Sequence, residues 1–331
     1  MATYKAEHGF QIKHRSSDPP SPIAGEIWYN TTTQTLKCAP EIAAWSSGGN
    51  LSTARASGMY TGTQTANLLA GGYATTMSNT SVTYDGSSWT AAPNLSENPR
   101  RSNAGGGTTT AAFSVGGSIG PLPPTANTVN TVEEFDGSSW TAGGDYPLGV
   151  YDLEACGTLT AGLGSGGYKT PSDPGEYINT NADYNGTSWT ANNNMNTARA
   201  NYGFTGSQTA ALAAGGNNPT MATSETYDGT NWTAITNLPA ARKMHAASGP
   251  SSQGLIFGGS GASPYLNTSI LWDGSSWAAQ PNMATVRQFG HGSHQAPGTA
   301  ALSAGGYVNP GLSTATEEYN LAATTRSVDT S

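Results

Sequence analysis

A short apolar run leads into a pair of glycines again and again along this chain. Leu68-Leu69-Ala70 precedes Gly71-Gly72 and Leu255-Ile256-Phe257 precedes Gly258-Gly259, with further pairs at Gly116-Gly117, Gly166-Gly167, Gly215-Gly216 and Gly305-Gly306. The six pairs stand 45, 50, 49, 43 and 47 residues apart. Such a period marks an array of one supersecondary unit rather than a conventional domain. A second signature follows most pairs. It runs Tyr84-Asp85-Gly86-Ser87-Ser88-Trp89, and recurs from Phe135 to Trp140, Tyr184 to Trp189, Tyr227 to Trp232 and Trp272 to Trp277. Each unit reads as four short strands. The apolar run is a buried strand b, the aromatic-Asp-Gly step ends strand c at a tight hairpin turn, and Trp opens strand d. A Thr/Ala/Arg stretch such as Thr53-Ala54-Arg55 then leads into strand a of the next unit. Glycine at the end of b is expected to leave room for bulky aromatics to close over the backbone. Four-stranded antiparallel units at this period predict an all-β fold, a β-propeller.

The Gly pair, the aromatic before the turn and the following Trp together resemble the kelch repeat over roughly residues 40–320. The departures are a shortened, Ser/Thr-rich unit and Asn185 in place of Asp in one turn. The resemblance implies a kelch-like propeller with Trp89, Trp140, Trp189, Trp232 and Trp277 as structural residues. The ends of the chain predict the blade count. The sixth Gly pair leads to Glu317-Glu318-Tyr319-Asn320 with no Trp after it, while Trp45 has no Gly pair before it. Trp45 stands ten residues before Arg55, as Trp189 does before Arg199. The N-terminal segment is therefore expected to supply strand d of the last blade and close a six-bladed ring. The expected division is an arm and hairpin over 1–39 and a propeller over 40–331.

Composition narrows the setting. Only 10% of the 331 residues are charged and the net charge is −8, which argues against a nucleic-acid binder with a basic footprint. No apolar run is long enough to span a bilayer, and no secretory signal opens the chain. Ser, Thr, Ala, Asn and Gly dominate, as in extracellular and virion β-proteins. The first forty residues differ: Lys5, His8, Lys13, His14 and Arg15 make a mildly basic arm before a Pro-rich hinge from Asp18 to Pro22. Gly25-Glu26-Ile27-Trp28-Tyr29-Asn30 and Thr35-Leu36-Lys37 then read as a hairpin around a Thr/Gln turn. This hairpin resembles segments of tail-fibre and other appendage proteins of tailed phages. The resemblance implies a virion protein, assembled in the host cytoplasm and released by lysis. Its arm would dock on other virion proteins while its propeller face mediates host attachment through a surface glycan or receptor. Alternatives are a free-standing lectin or peptide-binding propeller, or a glycan-cleaving one.

Candidate chemistry is sparse. Counting sixteen residues back from each first Gly lands on Arg55, Arg100, Val150, Arg199 and Arg242, and eighteen back from the last lands on Arg287, with extra residues around Gln295–Gly298. Arg is thus expected at the start of the innermost strand, on the face that also carries the variable b–c loops 118–130, 168–182, 260–267 and 307–316. A crown of Arg55, Arg100, Arg199, Arg242 and Arg287 could hold an acidic ligand in two-pronged fashion. The same arginines could instead pair with Glu134, Glu176, Glu225 or Glu317 and stitch blades together. Tyr73, Tyr168, Tyr265 and Tyr307 could stack on sugars or cover blade edges. His245, His291 and His294 make no recognisable ligand set, and no nucleophile elbow or phosphate loop is present. The expectation is a binding protein and not an enzyme, without metal or cofactor. Cys38 and Cys156 are expected as two free, partly buried thiols.

Overall fold

The repeat period becomes a series of antiparallel sheets in the computed structural model, which describes residues 12–23, 25–97, 100–119, 127–169, 176–290, 292–323 and 325–328. Lys5 and His8 of the arm, His291, and residues 120–126 and 170–175 of the variable loops lie outside the described residues. The described secondary structure is all β. The chain divides into two compact units, residues 45–319 and residues 1–44 with 320–331.

In the larger unit each repeat yields strands in the order a, b, c, d. The first sheet runs Met59–Gly62, Asn67–Ala70, Ser81–Tyr84 and Trp89–Ala92, and the second Ala104–Gly107, Ala112–Val115, Val132–Phe135 and Trp140–Ala142. The third, fourth and fifth open with Glu154–Thr158, Gly203–Ser207 and Ala246–Ser248, and close with Trp189–Asn192, Trp232–Ile235 and Trp277–Gln280. A further sheet has three strands, Ala300–Ala304, Thr316–Ala323 and Glu41–Ser47. Here the described residues after Arg287 form no strand a; Ser293 makes an isolated parallel bridge to Ser248. Gln295, among the extra residues of this repeat, donates from its backbone to Gly62 O at 3.0 Å and from its side chain to Gly157 O at 2.7 Å. The insertion thus ties the sixth repeat to the first and third.

The core lies between successive sheets. Met59, Leu68 and Ala70 of the first meet Ala112, Phe135 and Trp140 of the second, and Cys156 and Leu163 of the third meet Phe204, Ala211 and Trp232 of the fourth. Each c–d turn is tied by its Asp. In the first, Asp85 Oδ1 accepts from the backbone N–H groups of Ser87 and Ser88 at 2.8 Å, and Asn185 does the same at 2.9 Å in the third. An amide oxygen suffices for this turn.

The Gly pairs do a different job from the one expected of them. Gly71 and Gly72 both have positive φ, and a Cβ on Gly72 would lie 2.7 Å from Ala56 O. The neighbour that needs the space is backbone rather than an aromatic ring. The Gly72 N–H donates to Arg100 O of the next repeat at 2.8 Å, and the same bond recurs from Gly167 to Arg199 O, Gly216 to Arg242 O, Gly259 to Arg287 O and Gly306 to Arg55 O.

The smaller unit has one sheet in the order Lys13–Arg15, Ile27–Asn30, Thr35–Cys38, Arg326–Ser327. The hairpin turns at Gln34 with φ 54°. Trp28 is buried and its indole donates to Asp18 Oδ1 at 3.0 Å, so the Pro-rich stretch folds back over the hairpin. Cys38 and Cys156 are free thiols, the second fully buried with its thiol pushed up by desolvation.

Candidate binding site

The arginine column does not start the inner strands. Arg55, Arg100, Arg199 and Arg242 each sit four residues before theirs, at Met59, Ala104, Gly203 and Ala246. The intervening residues build a second feature. Ser57, Ser102, Asp152, Asn201, Met244 and Phe289 all have φ between 51° and 58°, in the left-handed region. Each donates its N–H to the carbonyl of its predecessor: Ser102 to Ser57 at 2.6 Å, Asp152 to Ser102 at 3.0 Å, Asn201 to Asp152 at 3.3 Å, Met244 to Asn201 at 2.7 Å and Phe289 to Met244 at 2.8 Å. Ser57 completes the circuit to Phe289 O at 3.5 Å. Left-handed backbone costs a non-glycine residue ~1 kcal/mol or more, and clusters of such residues collect at functional sites.

The arginines themselves are staples. Arg55, Arg100, Arg199, Arg242 and Arg287 are only 4, 1, 0, 6 and 1% exposed. Arg199 donates to Gly215 O and Thr223 O at 2.8 Å each and to Glu225. Arg100 reaches Glu133 at 2.6 Å and Arg287 reaches Glu317 at 2.7 Å. Of the acids proposed as partners, Glu225 and Glu317 fill that role. Glu134 instead accepts from the Tyr184 hydroxyl, and Glu176 stands 3.8 Å from Lys169. Among the described residues Arg55 and Arg242 have no acid partner and donate to the carbonyl and hydroxyl of Thr80 and Thr268; burial lowers both guanidiniums, Arg242 to about 10. An open arginine crown is therefore corrected to a set of buried ties, because the guanidiniums are spent on backbone carbonyls and carboxylates of their own repeats.

One position further along, the side chains face outward around the circuit. Arg101, Tyr151, Lys243 and Gln288 are half-buried there, and Arg101, Tyr151 and Gln288 line a pocket of about 320 Å³ together with Ser102, Asp152, Phe289 and Tyr307. The backbone bridges Arg101 to Ser118, Tyr151 to Tyr168, Lys243 to Ser260 and Gln288 to Tyr307 hold this rim against the residues that follow the Gly pairs. The Arg101 guanidinium lies 5.9 Å from the Tyr73 ring, and its charge also acts on the Asp152 carboxyl, favouring the ionised form. Asp152 is held by Asn201 Nδ2 at 2.9 Å and by Ser102, and burial pushes its carboxyl above the ordinary range. Burial, then the phenols of Tyr73 and Tyr265, hold Tyr307 high as well, with Arg101 opposing them.

Past the circuit lies a chamber of about 50 Å³ lined by residues that include Tyr60, Asn103, Glu154, His245 and His294. Burial keeps Glu154 well above the usual carboxylate range and lowers His245 to about 3 and His294 to about 4. Among the described residues no group of three or more His, Cys, Asp or Glu is placed to hold a metal.

Of the tyrosines singled out by sequence, Tyr168 packs 5.4 Å from Tyr151 at the rim and Tyr265 is half-buried near Tyr307. The tryptophans take interstrand and intersheet positions. Trp89 donates to Thr316, Trp140 to Pro93 O, Trp277 to Thr236 O and Trp45 to Ser269, each on the preceding repeat. Trp189 packs on Tyr146 and Phe113, and Trp232 on Tyr227. Sequence reasoning missed Arg101, Tyr151, Asp152 and Gln288. Their signal was the run of Ser57, Ser102, Asp152 and Asn201 two places after the arginine column, since Asn, Asp and similar short polar residues favour positive φ.

No family model matches the chain, and no curated protein matches it in sequence. Among solved structures the chain is similar to YjhT, with a TM-score of 0.69 and 13% identity over 85% of this chain and 100% of that one. The likeness supports a β-propeller-like all-β architecture. It also overturns the expectation of a non-enzyme. That expectation rested on missing sequence motifs, and at 13% identity the shared fold carries no motif by which chemistry could be denied. The mouth moreover holds an acid, Asp152, that no motif announced.

Proposed function

We propose that the chain is a phage virion appendage or tail-associated protein whose propeller mouth binds carbohydrate on the host surface. The fold in this reading is a six-bladed kelch-like propeller closed by its N-terminal strand. Supporting closure, Gly306 N–H bonds Arg55 O and the Trp45 indole bonds Ser269 as its counterparts bond their own preceding repeats. Residues 1–39, with the appendage-like hairpin, would contact other virion proteins. One observation carries the binding function: the 320 Å³ pocket combines the aromatic walls Tyr151, Phe289 and Tyr307 with Arg101, Asp152 and Gln288. Apolar ring faces with a few fixed polar groups are how concave sites hold a small ligand. Sugar rings present C–H faces to the aromatics and hydroxyls to the polar groups, and Arg101 offers its cation to an acidic substituent.

A panel of bacterial surface glycans, including uronate-containing polysaccharides, tests this. Arg101→Ala should weaken the bound glycan about 10–100-fold, the worth of a hydrogen bond to a charged group, with an unchanged melting temperature. Binding by no glycan, or equal binding by Arg101→Ala and Tyr307→Ala, refutes the mouth as the site. Asp152 supports a second reading, cleavage of the bound glycan, because a carboxyl that burial makes hold its proton more tightly than usual suits protonation of a leaving oxygen. Release of reducing ends by the parent but not by Asp152→Asn would decide for it.

A further inference from the structure

The mouth pocket lies between two runs of aromatic rings that a single sugar would not use. Val150–Tyr151, Tyr168–Lys169 and Glu176–Tyr177 form a three-stranded antiparallel sheet. Its register sets Tyr151 opposite Tyr168 and Tyr168 opposite Tyr177. Directly paired residues share a face, so the three phenols stand in a row while Val150, Lys169 and Glu176 take the other side. The rings are 5.4 and 4.9 Å apart, edge to face. Across the pocket a second run begins at Phe289, continues to Tyr307 at 6.0 Å and reaches Tyr73 at 6.4 Å.

Core packing does not account for these rings. Tyrosines of the core such as Tyr146, Tyr184 and Tyr202 are at most 2% exposed, whereas all six rings of the two runs are only half-buried. Contiguous aromatic surface left to solvent marks an interaction site. Polar groups accompany it: Asn217 donates to the Tyr177 hydroxyl at 2.9 Å and accepts from Lys243 Nζ at 3.4 Å. Rings thus continue outward on both sides of a pocket large enough for one sugar ring, with hydrogen-bonding groups beside Tyr177.

We propose that the mouth binds a linear oligosaccharide chain laid along Tyr177, Tyr168 and Tyr151, through the pocket, and on to Phe289, Tyr307 and Tyr73, rather than a single terminal sugar. This rests on the carbohydrate reading of the mouth given above. Calorimetric titration of the full chain with oligogalacturonate, chitin and dextran fragments of increasing length tests it. Affinity should rise with length beyond the disaccharide and then level off. Tyr177→Ala, outside the pocket, should weaken the long fragments of the bound series about 2–10-fold, the worth of one aromatic contact, and leave the shortest unchanged. Tyr177→Phe, which keeps the ring, should bind as the parent does. Length-independent binding that Tyr177→Ala leaves intact overturns the extended chain while the mouth site stands, provided Arg101→Ala still weakens it. Failure of every fragment to bind overturns both.

Discussion

Removing the Arg199 guanidinium should unfold the propeller well before it affects any ligand. Arg199 is fully buried and donates to two backbone carbonyls, Gly215 O and Thr223 O, and to Glu225. Glu225 is 2% exposed and, among the described residues, otherwise accepts only from the backbone and side chain of Asn196, at 2.8 and 2.9 Å. In Arg199→Ala the carboxylate stays buried without its cation and both carbonyls lose a donor. Breaking one half of a buried ion pair costs ~3–5 kcal/mol. At roughly 2 °C per kcal/mol for a chain of this size, the melting temperature should fall by about 6–10 °C. Arg242 provides the control, since it makes the matching contacts to Gly258 O and to the carbonyl and hydroxyl of Thr268 but has Ile270 at the position that Glu225 takes in the fourth repeat. Arg242→Ala orphans only neutral groups and should cost about 1–3 kcal/mol. Arg199→Met combined with Glu225→Leu should recover much of the loss, because no unpaired charge remains. Calorimetry or tryptophan fluorescence reads all four proteins. An Arg199→Ala protein as stable as the parent, or one that loses glycan binding while keeping its melting temperature, would refute the staple argument.

Other expectations follow from the same geometry. Backbone N–H groups hold Asp85 and Asp136 at about 2, so their contribution is full above the ordinary ~3.9 and is lost as pH falls through about 2; Asp85→Asn, which copies Asn185, should flatten this part of an acid titration followed by circular dichroism. Burial lowers His294 to about 4, so below ~6.5 the unfolded chain takes up a proton that the native state refuses and stability falls with pH. His294→Phe should therefore lose less of its urea midpoint between pH 7 and pH 5 than the parent does, and an equal loss would clear His294 of the effect. Trp45 is half-buried against Phe257 and Tyr319; Trp45→Ala should cost about 2–3 kcal/mol, short of the ~3–5 for a fully buried ring, and an unchanged denaturation midpoint would show that the N-terminal strand is dispensable.

The sheets were legible because each strand boundary carries a residue with a single physical job. The apolar run at Asn67–Ala70, the Asp85 turn and Trp89 recur in register, and periodicity compounds their signal. The reason for the Gly pair was not legible, because the group packed against Gly72 is a backbone carbonyl, which has no letter in the sequence. The arginine column was conspicuous for its regularity, yet regularity in a repeat reports what every unit needs for packing. Binding groups differ from unit to unit. Arg101, Tyr151, Lys243 and Gln288 occupy one register position with side chains of three different kinds, so no repeat pattern could flag them. The missing inner strand after Arg287 was visible only as extra length, since the reach of Gln295 to Gly157 O spans 138 residues.

Three adjacent positions thus divide the work of this scaffold. The arginine position points inward and is spent on carbonyls and carboxylates, and its own carbonyl receives the Gly pair of the preceding repeat. The residue two places later takes positive φ and joins the circuit of backbone bonds, which leaves only its side chain free to vary. Between them lies a position whose backbone is fixed on both sides and whose side chain, in four of the six repeats, is only half-buried. Substitution there changes the mouth without loosening the sheets, because the bridge it makes to the residue after the Gly pair is a main-chain bridge. In this chain that condition is met at Arg101, Tyr151, Lys243 and Gln288, whose side chains are half-buried, whereas Ala56 and Ala200 at the same register are fully buried and belong to the core.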